Sequence, residues 1–141
     1  MTVGRILDKK GHQVFSINAS TSLETAVVDL ANHHVGVLVA VNSSGEPVGI
    51  LSERDVVKVL AKGKGIAGET VESAMTRLLV SCALDDTEGE VMERMGKANV
   101  RHLPVKHFGK LVGLVSARDI LQLRIDKLEE LMKEIRNQAL Q

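Results

Sequence analysis

Two tetrads in this chain hold residue types suited to gripping a polar ligand, Ser52-Glu53-Arg54-Asp55 and Ser116-Ala117-Arg118-Asp119. Each collects a hydroxyl, a guanidinium and a carboxylate just where an apolar strand gives way to a helix. Ser-x-x-Asp ahead of an apolar helix is also a capping box, which needs no ligand. Chemistry that transforms a substrate is harder to assemble. No Gly-x-Ser-x-Gly elbow accompanies the serines, and Gly63-Lys64-Gly65 is too short for a phosphate loop. The five histidines are 12, 33, 34, 102 and 107, with no Cys-x-x-Cys or His-x-x-x-His spacing among them. His33 and His34 are adjacent, so their side chains diverge on a helix. Cys82 stands alone in an apolar strand, a setting of core packing rather than reactivity. Nothing in these residues supports an enzyme or a metal site.

The tetrads are two copies of one unit. Ser44–Val56 aligns with Phe108–Ile120 at a constant offset of 64, and six of the thirteen pairs are identical. Three more pairs exchange one aliphatic residue for another. Upstream the offset becomes 65, pairing Val35 with Val100 and Leu38 with Leu103. The slip falls in the turn 42–47, where turn chemistry tolerates a length change.

Each copy predicts the same elements. Short strands at Val14–Ile17 and Leu78–Cys82 lead to helix starts at Thr21-x-x-Glu24 and Thr87-x-x-Glu90, both with capping-box spacing. Leu23, Ala26, Val27, Leu30 and Ala31 then recur at helical spacing, as do Val91, Met92, Met95 and Ala98. Two hairpins follow, Val35–Val41 with Val48–Leu51 and Val100–Val105 with Leu111–Val115, turning at Ser43-Ser44-Gly45 and Phe108-Gly109. A second helix over Glu53–Lys62 stops at Gly63. The expected organisation is a first repeat over 1–62, a linker over 63–70, a second repeat over 71–127 and a helical extension over 128–141. The fold class is α+β, a tandem duplication of two β-α-β-β-α repeats sharing one core, plus a C-terminal helix. A repeat of about 60 residues would not easily bury its own apolar faces.

Composition narrows the function classes. The 141 residues carry 18 Lys+Arg and 18 Asp+Glu, a balance that argues against a general nucleic-acid binder. Phe15 and Phe108 are the only aromatic residues, which argues against a base-stacking platform for single strands. One cysteine cannot build a disulfide framework and fits a reducing compartment. No run approaches 18 apolar residues and the first residues lack a signal-peptide stretch, so a cytoplasmic protein without membrane partners is expected.

The doubled strand–Ser-x-Arg-Asp–helix junction resembles the CBS-domain pair, or Bateman module. Thr2-Val3-Gly4-Arg5-Ile6-Leu7 and Val100-Arg101-His102-Leu103-Pro104-Val105 add to the resemblance, which spans residues 1 to about 127. The resemblance implies a non-catalytic sensor of adenosine-containing ligands, AMP, ADP, ATP, NAD or S-adenosylmethionine, that regulates a partner protein. It implies that Asp55 and Asp119 hold ribose hydroxyls, which suits a carboxylate facing a vicinal diol. Ser52 and Ser116 would offer hydroxyls beside free helix amides, and Arg54 and Arg118 positive charge near phosphate. Adenine would lie near Ser16, Ile17, Val80 and Cys82. Arg101 and His102 replace Gly36 and Val37 of the first copy, and the resemblance implies that phosphates of a ligand held at Asp55 would reach Arg101, His102 and Arg118.

Beyond the second copy, Leu121, Ile125, Leu128, Met132, Ile135 and Ala139 are spaced 4, 3, 4, 3, 4, a heptad seam. The tail could pack on its own domain or across a homodimer, and the resemblance, to a family of disc-like dimers, favours the second. The competing function is a dimeric interaction scaffold with decayed nucleotide sites, its partner recruited through the C-terminal helix.

Overall fold

The computed structural model describes residues 1–78 and 80–141. In chain order the elements are α1 (Val3–Lys10), β1 (Ser16–Asn18), α2 (Leu23–His33), β2 (Val37–Val41), β3 (Pro47–Ser52), α3 (Glu53–Leu60) and α4 (Val71–Ala74). They continue as β4 (Thr76–Arg77), β5 (Cys82–Ala83), α5 (Glu88–Ala98), β6 (His102–His107), β7 (Lys110–Ser116) and α6 (Ala117–Ala139). The fold is the expected duplicated α+β arrangement with a C-terminal helix. Two sheets form, ordered β1-β2-β3-β4 and β5-β6-β7. In each, the leading strand runs parallel to the next and the hairpin is antiparallel.

The duplication reaches fine detail. His34 and Asn99 end α2 and α5 in the same left-handed conformation, at φ 55° and 54°. The register of each hairpin shifts at matching places, between Ala40 and Val41 and between Val105 and Lys106. The turns account for the one-residue slip. Phe108 and Gly109, both at positive φ, make a two-residue hairpin turn. The longer first turn is organised by Asn42, whose Oδ1 accepts from the amides of Ser44 at 3.0 Å and Glu46 at 2.9 Å.

Two helices were not anticipated, and they tie the halves together. α1 precedes the first copy but packs on the second. Val3 N–H donates to Asp86 at 2.8 Å, Gly4 N–H to Leu84 at 2.9 Å, and Glu88 N–H to Met1 at 3.0 Å. α4 precedes the second copy and packs on the first by the matching bonds, Val71 to Thr21, Glu72 to Ala19 and Leu23 to Glu69, each 2.9 Å. Thr2 and Thr70 cap these helices. The apolar interior is accordingly two clusters rather than one undivided core. Val3, Ile6 and Leu7 lie in the cluster of the second half, and Val71 in that of the first. The helices were hidden because their apolar residues are too few to show a period. Their fixed ends come from the other half.

Other expectations shift in position. The helix α2 is capped by Ser22, which accepts from Thr25 N–H at 3.2 Å, so Thr21-x-x-Glu24 is not its box. Thr21 instead lends its carbonyl to Val71. Thr87 and Glu90 do form the expected box. The strand expected over Leu78–Cys82 includes Leu79, which lies outside the described residues. On either side of it, Thr76–Arg77 joins the first sheet while Cys82–Ala83 joins the second.

The glycine ahead of each tetrad has a packing cause. A Cβ on Gly113 would sit 2.7 Å from Leu7 Cδ1 of α1, and one on Gly49 would collide with the Met75 sulfur at the end of α4. Each glycine lets an exchanged helix lie against a sheet. Gly49→Ala and Gly113→Ala are therefore expected to destabilise the fold by about 1–3 kcal/mol through overpacking. Gly96, in α5 with open space around its Cβ direction, should gain about 0.4–1 kcal/mol as alanine. Urea midpoints of the three variants check the opposite signs.

Candidate ligand site

The strand β3 ends on Ser52, whose extended backbone also begins α3. Its hydroxyl accepts from Asp55 N–H at 3.2 Å, and its own N–H donates to Asp55 Oδ2 at 2.9 Å. The capping box is thus real, and it fixes the carboxylate at the helix N-terminus, where the macrodipole favours negative charge. It does not exhaust the residue. Ser52, Glu53, Arg54 and Asp55 line an open cavity of about 430 Å³, together with Ile50, Thr76, Arg101 and His102. That volume lies in the range of small-molecule sites.

The cavity sits between the halves. One wall comes from the first tetrad and Gly36–Val37, the facing wall from Val100, Arg101 and His102 at the entry to β6, and Thr76 on the exchanged strand β4 closes an edge. Asp55 and Arg101, 46 residues apart in the chain, thus line the same cavity with His102. Arg118 is exposed and stands outside the lining. Burial pushes the His102 imidazole below its ordinary pKa; Lys10 and Arg101 push the same way and the Asp119 carboxylate opposes them. At neutral pH His102 is an uncharged ring able to donate or accept one hydrogen bond, and the fixed positive charge on the lining belongs to Arg54 and Arg101.

The second tetrad is built alike and used differently. Ser116 caps α6, accepting from Asp119 N–H at 3.0 Å and donating its amide to Asp119 Oδ2 at 2.9 Å. Here the chain supplies its own cation. Lys10, the last residue of α1, reaches Asp119 Oδ2 at 2.7 Å and the Leu114 carbonyl at 2.6 Å. Leu114 matches Ile50, whose backbone is paired with Thr76 of β4 in the first sheet. Among the described residues the second sheet has three strands, and Lys10 reaches the carbonyl at the matching position. Burial raises the Asp119 pKa, but the Lys10 contact and the Ser116 amide outweigh it and hold the carboxyl below the usual range.

The four expected adenine neighbours are not in the Asp55 cavity. Ser16 lies by the first hairpin turn with Val14, Gly45 and Lys110. Ile17 is buried in the first cluster. Val80 lines a separate crevice with Pro47 and Pro104. Cys82 is buried against the Pro104 carbonyl, and burial pushes its thiol up to about 12, so it is inert. The reason is the exchange. The strand edge beside the first tetrad is β4, not β1, which pairs on the far side of β2. Ile50 and Thr76 border the Asp55 cavity on that side. His33 stacks on Phe15, with ring centroids 3.9 Å apart, while His34 caps the helix. Among the described residues no three metal-ligating side chains gather at one point.

Fold and cavity together define a class: a paired repeat that exchanges helices and opens a small-molecule cavity at the tetrad junction. The chain belongs to the CBS domain family, whose model matches residues 3–62 and 71–126. A CBS-domain containing protein from Agrobacterium tumefaciens superposes with a TM-score of 0.77 at 34% identity, covering 88% of this chain and 99% of that one. The CBS domain pair of protein MJ0100, solved with 5′-methylthioadenosine and S-adenosyl-L-methionine, gives 0.76 at 29% identity, covering 90% and 98%. An uncharacterised protein of Methanopyrus kandleri is 34% identical over 123 residues, 82% of this chain, and the chain spans 63% of that relative's length. No helix among the described residues is long and apolar enough to cross a membrane.

The Lys10–Asp119 pair has a pH signature. A carboxyl held low in the folded state stabilises the fold above its unfolded pKa of about 3.9, and that contribution disappears as pH falls through the folded value. Lys10→Met should lower stability by on the order of 1 kcal/mol at pH 7 and by nearly nothing near pH 2. Urea midpoints at the two pH values measure this, and an equal loss at both would assign the effect to packing.

Proposed function

We propose that this chain is a non-catalytic sensor that binds an adenosine-containing ligand at Asp55 and relays its occupancy to a regulated protein. The observation that carries the reading is the convergence of Asp55, Arg54, Arg101 and His102 on one cavity at a helix N-terminus. Asp55 accepts from the ribose diol, and the Arg54 and Arg101 guanidinium groups face an anionic group. Ile50 and Thr76 flank the base. The adenosine ligands of the MJ0100 domain pair support the ligand class. The positive charge of Arg54 and Arg101 favours members that carry phosphate, AMP, ADP, ATP or NAD, over S-adenosylmethionine.

One site per chain follows from the asymmetry. Lys10 already fills the place of a ligand beside Asp119, so Asp55 carries the response. A homodimer belongs to the same reading, supported by Val28, Val57 and Leu60 exposed on α2 and α3. The scaffold reading is favoured by one observation, the apolar residues bare along the outer part of α6.

At 100 times Kd one site stabilises the fold by about 2.7 kcal/mol, a rise in Tm of roughly 5–10 °C for a chain of this length. AMP, ADP, ATP, NAD and S-adenosylmethionine tested in turn should include at least one that gives this rise. Asp55→Asn should abolish it and Asp119→Asn leave most of it. A midpoint unmoved by all five would favour the scaffold.

The basic pair is tested separately by Arg101→Ala with His102→Ala. Lost hydrogen bonds to phosphate are worth roughly 1.5–3 kcal/mol each for a charged group, so AMP should weaken by one or two orders of magnitude and adenosine hardly at all. Calorimetric titration of both ligands reads the difference. Equal weakening would place the pair in support of the fold or the base.

A further inference from the structure

α6 continues past the domain it begins in. Ile120 and Leu123 are buried against the second half, and Lys127 lies 3.6 Å from Glu88. From Lys127 to Ala139, thirteen residues of helix, every side chain is exposed. A free helix of that length is marginal in water. Its seam residues Leu121, Ile125, Leu128, Met132 and Ile135 are 41–60% exposed. At about 100° per residue the seam points roughly 130° away from the stripe of Ile120 and Leu123, so the domain cannot cover it.

We infer that the seam is covered by α6 of a second copy, in a parallel, in-register, two-stranded coiled coil. The inference rests on the homodimer reading above and specifies its surface and orientation. Three features choose the occupant. In heptad terms Ile125, Met132 and Ala139 fall at a, and Leu121, Leu128 and Ile135 at d. The heptad of Ile125 and Leu128 has Ile at a with Leu at d, the pattern of two strands, and Met132, Ile135 and Ala139 continue the apolar seam. The flanking charges then decide direction. Arg124 at g faces Glu129 at e of the partner in a parallel pair, and two-fold symmetry makes the attraction twice. An antiparallel pair in the register that buries the whole seam sets Leu121 against Ala139 and brings the two copies of Glu129 together. Lys127, which reaches back to Glu88, sits at c, off the seam. The domain contact and the coiled coil therefore use different faces of one helix.

The test uses the full chain. Leu128 faces its own copy across a parallel seam, so Leu128→Cys should convert the protein to a disulfide-linked dimer on mild oxidation. Cys82 is buried and does not compete. The exposed position makes the variant safe for folding, which far-ultraviolet dichroism checks. By sedimentation equilibrium the protein should have twice the chain mass. Arg124→Glu and Glu129→Arg should each weaken the dimer, roughly two- to five-fold, and their combination should restore it. Cross-linking only between mixed Leu128→Cys and Met132→Cys chains would overturn the parallel orientation. A dimer that neither cross-links nor responds to the charge changes would overturn the tail interface while leaving the homodimer intact. A single-chain mass would overturn both.

Discussion

The exchange of two short helices is the constraint on which everything else depends. α1 and α4 each bury a valine, Val3 and Val71, in the half of the chain to which they do not belong by sequence. Their amides are fixed by carbonyls of that other half, through matching sets of bonds. A sheet of three short strands with one helix face could not shield its apolar side. Trading helices covers both sheets and binds the halves into one unit. Gly49 and Gly113 are the points where side chains at the exchanged helices, Met75 and Leu7, press on the strand backbone.

The same trade makes the cavity. β4 follows α4 into the first sheet and pairs with β3 beside the tetrad, so the open space beneath Asp55 acquires an edge. The equivalent stretch after α1 forms no strand, and Lys10 satisfies the Leu114 carbonyl instead. One difference in how a crossing segment ends thus separates an open pocket from a self-occupied one. The carboxylates themselves do not differ in their capping geometry. Ser52 with Asp55 and Ser116 with Asp119 make the same two bonds within 0.2 Å. The capping box orients the carboxylate toward the helix N-terminus, and the neighbourhood decides what meets it.

The tail is continuous with this core. The box at Ser116 starts a 23-residue helix, roughly 35 Å long, whose first turns belong to the second cluster. Asp119, held by Lys10 in the first turn, therefore lies on the same rigid element as the seam. Any event that displaced Lys10 would act at the root of that helix.

By itself the sequence determined the duplication, the two hairpins and the caps at Ser52, Ser116 and Thr87. These are legible because they rest on local periods and cap spacings, or on residue pairs that a repeat aligns. The heptad spacing of the tail was legible for the same reason. Only the tertiary structure decided the helix exchange, the place of Ile50 and Thr76 on the cavity wall, and the pairing of Asp119 with Lys10. Lys10 and Asp119 are 109 residues apart, and their repeat equivalents make no such contact, so no pattern announces them. Ser16, Ile17, Val80 and Cys82 lie away from the Asp55 cavity because a strand carries no mark of which sheet edge it will join. That choice belongs to packing, which places β4 beside β3 and leaves β1 two strands away.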